Sequence, residues 1–163
     1  GGIELTPGVV ARELGHAHIV ATASPAFMRG KAMPAHPSDL AQFDGVARRS
    51  AGSGRLRSWI LRDGQGGEGV AESRPRAIFD DPDAMAQAAV MGVGVALLPM
   101  PHALTHLRSG ALIRLLPGWH ADSGPLSVYY PSKKLLPAKT RVFVDFLLEQ
   151  FRQRDFAAQI RPD

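Results

Sequence analysis

The chain has 163 residues, enough for one domain of ordinary size or a domain with part of a neighbour. It is 45% hydrophobic and 21% charged, the balance of a folded protein, and its lack of cysteine excludes disulfides, thiolate zinc sites and cysteine nucleophiles. The net charge of +4 comes from scattered arginines rather than a basic stripe, so a solvated surface is the favoured reading over direct DNA binding.

No stretch approaches the roughly 20 apolar residues that span a bilayer. Gly1–Gly2–Ile3–Glu4 lacks the basic-then-apolar pattern of an export signal. The opening on Gly1 instead of Met is expected of a fragment or a processed chain, and the absence of cysteine fits a reducing compartment.

In chain order, His18–Ala23 reads as a first strand. Ser24 suits an N-cap with Pro25 at N1, where its missing N–H costs nothing, so a short helix is expected over Pro25–Arg29. Pro37 introduces a second short helix, Ser38–Gln42. Gly45–Arg49 reads as a strand, Gly52–Gly54 as a loop and Ser58–Arg62 as a strand carrying Trp59. Asp63–Gly69 contains four glycines and reads as a hairpin tip. Val70–Glu72 and Arg76–Phe79 follow as strands.

Asp81 can then cap a helix with Pro82 at N1, while Asp83 complements the N-terminal dipole. Met85, Ala88 and Ala89 form the packing face of Asp83–Met91, and Gly92 closes it as a C′ residue. Val93–Leu98 reads as a buried strand stopped by Pro99 and Pro101. If the strands of this strand–helix–strand unit are parallel, a right-handed crossover is required.

A helix over His102–Arg108, a turn at Ser109–Gly110 and a strand at Leu112–Leu115 come next. Trp119 lies in a loop before a strand at Leu126–Tyr130, whose two tyrosines should point one inward and one outward. Pro137 opens a last helix to about Arg152. Val142, Phe143, Phe146, Leu147 and Phe151 recur along it at helical spacing. Residues 155–163 read as a frayed tail. The alternation of strands and helices predicts an α/β fold with a mainly parallel sheet.

One loop stands out chemically, Arg48 to Arg55. It follows a strand, where α/β folds place ligands. Arg49 can grip a carboxylate through two parallel hydrogen bonds, with Ser50 and Ser53 as further donors. The competing reading is an ordinary surface turn with solvated arginines.

Other constellations are weaker. The cluster Asp80–Asp83 is better explained as a helix N-terminus than as a metal site. His102 and His106 have i, i+4 spacing, but no Glu follows His102 as in a metalloprotease, so both read as surface residues. Ser24 and Ser53 lack a nucleophile-elbow context, and no dinucleotide or nucleotide-triphosphate loop is present. No catalytic residue, metal or cofactor is expected. Trp59 and Trp119 read as packing residues.

Six segments in order resemble the LysR-type transcriptional regulator family. They are Ala23–Phe27, His36–Leu40, Asp80 with Asp81–Gly94, Leu98–Pro99, Gly110–Ile113, and Pro131 with Pro137–Phe151. No piece is specific alone, but together they run from Gly8 to Phe151. Gly1–Gly15 is similar to the family's segment before the crossover between subdomains.

The resemblance implies a periplasmic-binding-protein-like fold, two α/β subdomains joined by crossover strands, with the first subdomain incomplete in this chain. On that pattern residues 1–19 end the first subdomain and cross over. Residues 20–97 form the second, 98–154 return to the first, and 155–163 are a tail. The first subdomain's missing half would leave a sheet edge unpaired and an apolar helix face uncovered, which favours oligomerisation.

The implied function is effector sensing by a cytoplasmic homo-oligomer, not catalysis. A small, anionic metabolite would bind between the subdomains. DNA would be bound only through an N-terminal helix-turn-helix that this chain lacks, and no membrane is involved. The implied effector-binding residues are Arg49, Ser50 and Ser53, with Gly2, Leu98 and Pro99 flanking the crossovers. For Leu98 plain core packing, and for Pro99 a rigid hinge, are equally open. The alternatives are a solute-binding protein of transport, which would need an export signal, and an enzyme on the same fold.

Overall fold

The computed structural model describes residues 8–50, 52–131 and 137–161. The chain divides into two compact units, one of His18–Ala121 and one of Gly1–Ala17 with Asp122–Arg161.

In the His18–Ala121 unit, the elements come in the expected order. Strand β1 runs Val9–Ala23, crossing the first boundary between the units. Helix α1, Pro25–Met28, starts at Ser24, whose side chain accepts from Phe27 N at 3.3 Å. A 3-10 helix, Pro37–Gln42, precedes β2, Asp44–Arg48. Strands β3, Trp59–Arg62, and β4, Glu68–Ala71, form a separate hairpin. Strand β5, Arg74–Phe79, helix α2, Pro82–Val90, and strand β6, Val95–Pro99, follow. Helix α3, Met100–Ser109, and strand β7, Ile113–Leu115, complete this unit.

The strand order is β5-β2-β6-β1-β7. Strands β5 and β6 each run parallel to β2, whereas β1 is antiparallel to both β6 and β7. The parallel part is the βαβ unit read from the caps of α2, where Asp81 accepts from Ala84 N at 2.8 Å. Side chains alternate across the sheet. Ile19, Ala21, Ala23, Val95 and Leu115 join one core cluster with Leu40, Leu61 and Leu116. Val20, Thr22, Ala96 and Leu98, all fully buried, occupy the opposite face, over which α2 and α3 pack on β6. Each large buried aliphatic side chain contributes about 1.5–3 kcal/mol.

Two glycines permit this packing. A Cβ on Gly94 would lie 2.7 Å from Gly45 Cα, and one on Gly45 would lie 2.6 Å from Ser73 Cβ. Backbone therefore approaches backbone between Gly94 and β2, with no room for a side chain.

In the other unit, β8, Ala121–Pro131, pairs with β1, and α4 runs Ala138–Gln153. Tyr130 and Val144 are buried together with Val10, Val128 and Leu148 against them. Tyr130 is buried and Tyr129 is exposed, the expected in-and-out pair.

Strands β6 and β7 and helix α3 belong to the His18–Ala121 unit. They do so because β6 and β7 both pair with β1 and α3 packs on each of them. The frayed tail expected over 155–163 contains helix α5, Phe156–Gln159, and a fully buried Ile160. The absence of a side chain at Gly15 makes room there: a Cβ would lie 3.1 Å from Ile160 Cδ1.

Candidate functional site

The site is built at the carboxyl end of β2. Strand alternation puts Arg48 on the same face as Val46, which is buried. After Arg48 the chain folds back on itself. Arg49 bridges Leu56, and Arg57 N donates to Arg48 O at 2.8 Å. Ser50 N donates to Arg55 O, and Gly54 N to Ser50 O, both at 2.8 Å. Gly54 adopts φ +66°, a left-handed turn conformation that suits glycine.

This return strand and its continuation enclose a cavity of about 220 Å³. Arg48, Arg57, Ser58, Trp59, Glu72 and Ser73 line it, with Val46, Met85 and Leu97 as apolar floor. Arg57 lies 4.2 Å over the Trp59 ring, so its charge is stacked on an aromatic face. The charged groups of Arg48 and Glu72 have no side-chain or carbonyl partner among the described residues. Arg48 is half-buried, and a guanidinium with no partner among the described residues can receive a carboxylate.

The expected site residues fall in different places. Arg49 is exposed, and its Nη1 donates to Gly54 O at 2.9 Å, bracing the turn. Ser50 is half-buried in the same turn, and Ser53 Oγ accepts from Arg55 N at 3.4 Å. Arg49 and the two serines are brought together but do not line the cavity. Leu98 is fully buried opposite Val20. Pro99 is half-buried opposite Ile19 and provides the N-cap position of α3. Gly2 lies outside the described residues.

The sequence reading passed over Arg48 as a cavity residue. The signal was available in the strand period, since Val46 and Arg48 are two apart. It also gave Trp59 to packing alone, and Trp59 does pack on the core while lining the cavity.

Elsewhere, His36 and Asp39 cap the 3-10 helix. The His36 and Ala35 backbone N–H groups both donate to Asp39 Oδ2 at 2.9 Å and hold its carboxyl below the ordinary range. Asp83 meets His102 at 2.6 Å. Among the described residues no group of three or more His, Asp or Glu could hold a metal ion. The two histidines nearest the unit boundaries, His18 and His120, meet edge to face with ring centroids 5.1 Å apart.

The family profile of the LysR substrate binding domain matches residues 1–152. The chain belongs to that family. An HTH-type transcriptional repressor of Pseudomonas aeruginosa is 31% identical over 94% of this chain and 48% of its own length. The regulator PtxR of the same species is 28% identical over 91% of this chain and 47% of its own. This LysR substrate-binding domain thus spans about half the length of these curated relatives.

Among solved structures, the regulatory domain of AphB from Vibrio vulnificus aligns with a TM-score of 0.71 at 27% identity. The alignment covers 90% of this chain and 71% of that one. CrgA, a LysR-type transcriptional regulator from Neisseria meningitidis, aligns at 0.75 and 25% identity, covering 92% and 50%. The periplasmic-binding-protein-like α/β fold expected from the sequence is therefore the fold of this LysR substrate-binding domain.

Proposed function

We propose that the chain is the sensing part of a LysR-type transcriptional regulator that answers to a small anionic metabolite. The observation that carries this reading is the Arg48 guanidinium, without a partner among the described residues, in a cavity at the carboxyl end of β2. The matched relatives are transcriptional regulators, which favours this reading over a transport protein or an enzyme. The turn of Arg49, Ser50 and Ser53 follows Arg48 directly and, braced by the Arg49–Gly54 hydrogen bond, holds the strand end that carries Arg48.

The proposed cycle needs no covalent chemistry. Effector binding favours one arrangement of the regulator, and it shifts the equilibrium only by its differential affinity for the two states. DNA binding belongs to a helix-turn-helix elsewhere in the protein, which acts in the cytoplasm as a homo-oligomer. The exposed apolar residues Val142, Phe143 and Phe146 of α4 fit an association surface.

Thermal-shift screening with small carboxylates tests the reading. An effector at a hundred times its Kd stabilises by about 2.7 kcal/mol, and Arg48→Ala should abolish that shift. A bound carboxylate whose affinity ignores both Arg48→Ala and Arg49→Ala would refute the assignment.

A further inference from the structure

The cavity beside β2 holds unlike charges. Arg48 and Glu72 both line it, yet they do not pair with each other or with any other described side chain. Opposite charges left apart around an open volume suit a ligand that carries both charges itself. We infer that the cavity takes a small zwitterion, an α-amino acid, with its carboxylate on Arg48 and its ammonium on Glu72. This deepens the anionic-effector reading above and rests on it for the role of Arg48.

Charge and size agree with this assignment. Arg57 is stacked on Trp59, which leaves Arg48 as the cavity's uncommitted cation and Glu72 as its anion. A plain monocarboxylate would pair with Arg48 but leave the exposed Glu72 unmatched, with only a screened repulsion against it. An ammonium group removes that repulsion and gains a charge-assisted hydrogen bond. The cavity of about 220 Å³ has room for a small molecule of amino-acid size. Ser58 and Ser73 add hydroxyls near the charged groups, and Trp59, Leu56 and Leu97 offer apolar surface to a side chain.

The test is calorimetric titration of the chain with the twenty standard L-amino acids, each compared with its matched single-charge analogues. For leucine these are 4-methylpentanoate, which lacks the amine, and 3-methylbutylamine, which lacks the carboxylate. The expected result is that at least one amino acid binds and that its deaminated and decarboxylated analogues each bind at least tenfold more weakly. Arg48→Ala and Glu72→Gln should each weaken the amino acid at least tenfold, with folding verified by circular dichroism.

The inference is overturned if the carboxylates bind as tightly as the amino acids, or if Glu72→Gln leaves the affinity unchanged. Carboxylates that bind through Arg48 but not Glu72 would leave the anionic reading standing and remove only the zwitterion. Binding by none of the probes would overturn the zwitterion directly. The analogue comparison uses the unaltered chain, so a variant that fails to fold does not spare the inference.

Discussion

In the His18–Ala121 unit, both faces of the sheet are covered. Ile19, Ala21 and Leu115 are buried on one side, and Val20, Ala96 and Leu98 on the other. In the second unit, α4 buries Val144 against Tyr130, with Val10, Val128 and Leu148 packed beside them, while Val142, Phe143 and Phe146 stand 69%, 60% and 60% exposed. Both helices α2 and α4 carry an apolar pattern of helical period. Only α2 has all of its large apolar packing face covered by this chain. Periodicity states which face requires cover; it does not state whether the cover is present.

That contrast can be broken by substitution. Leu98→Ala should cost about 3 kcal/mol, the transfer loss plus a cavity in a site closed on all sides. Phe146→Ala, at a side chain that is 60% exposed, should stay within about 0.5 kcal/mol in dilute solution. Urea denaturation measures both, and similar costs at the two positions would erase the distinction.

A middle-sized effect sharpens it further. Asp81→Ala removes the acceptor for Ala84 N at the start of α2 and should cost about 1 kcal/mol. Pro137, at the N-cap of α4, makes no side-chain cap hydrogen bond, so Pro137→Ala should cost less than Asp81→Ala at the same denaturant midpoint readout. For association, Phe146→Asp should shift sedimentation toward the monomer with little change in stability, since it places a charge on the bare face. Unchanged sedimentation would remove α4 as an association surface.

The smallest expected effect is an acid dependence in the first unit. The Asp39 carboxyl is held below its ordinary value near 3.8 by the His36 and Ala35 N–H groups. A depressed folded value means the contribution is full above that ordinary value and is lost as pH falls through the folded one. Wild type and Asp39→Asn should therefore differ in stability at pH 6 and converge toward pH 2. A constant gap across that range would contradict the assignment.

Much of the fold was legible because its signals are local. Ser24–Pro25 and Asp81–Pro82 announce their helices through capping chemistry that needs no tertiary partner. The extent of the strands was less legible. β8 begins at Ala121 and takes in Asp122, Ser123, Gly124 and Pro125, residues of poor strand propensity, with Gly124 at φ +91° and its N–H donating to Asp122 Oδ1 at 2.7 Å. Likewise, β1 begins at Val9, nine residues before the strand read from the sequence. Helix α5 has four residues, and Ile160 is buried where it packs close to Gly15, far away in sequence.

The candidate site was legible only in part. The loop after β2 stands out through its arginines and glycines, but which of Arg48 and Arg49 faces the cavity depends on register. One residue's shift exchanges the two faces of a strand. In the structure Arg49 braces the turn through Gly54, and Arg48 lines the cavity. The burial of Leu98 depends on the far side of the sheet, which only the packing of α2 and α3 reveals.

Segment-resolved amide hydrogen exchange at dilute concentration tests the central contrast most directly. The account predicts that β6 and residues 18–23 of β1 exchange only on global unfolding, while α4 exchanges on the order of a hundredfold faster by local opening. Equal protection of α4 and β6 in the monomer would show that the second unit closes its own core, and the account would fail.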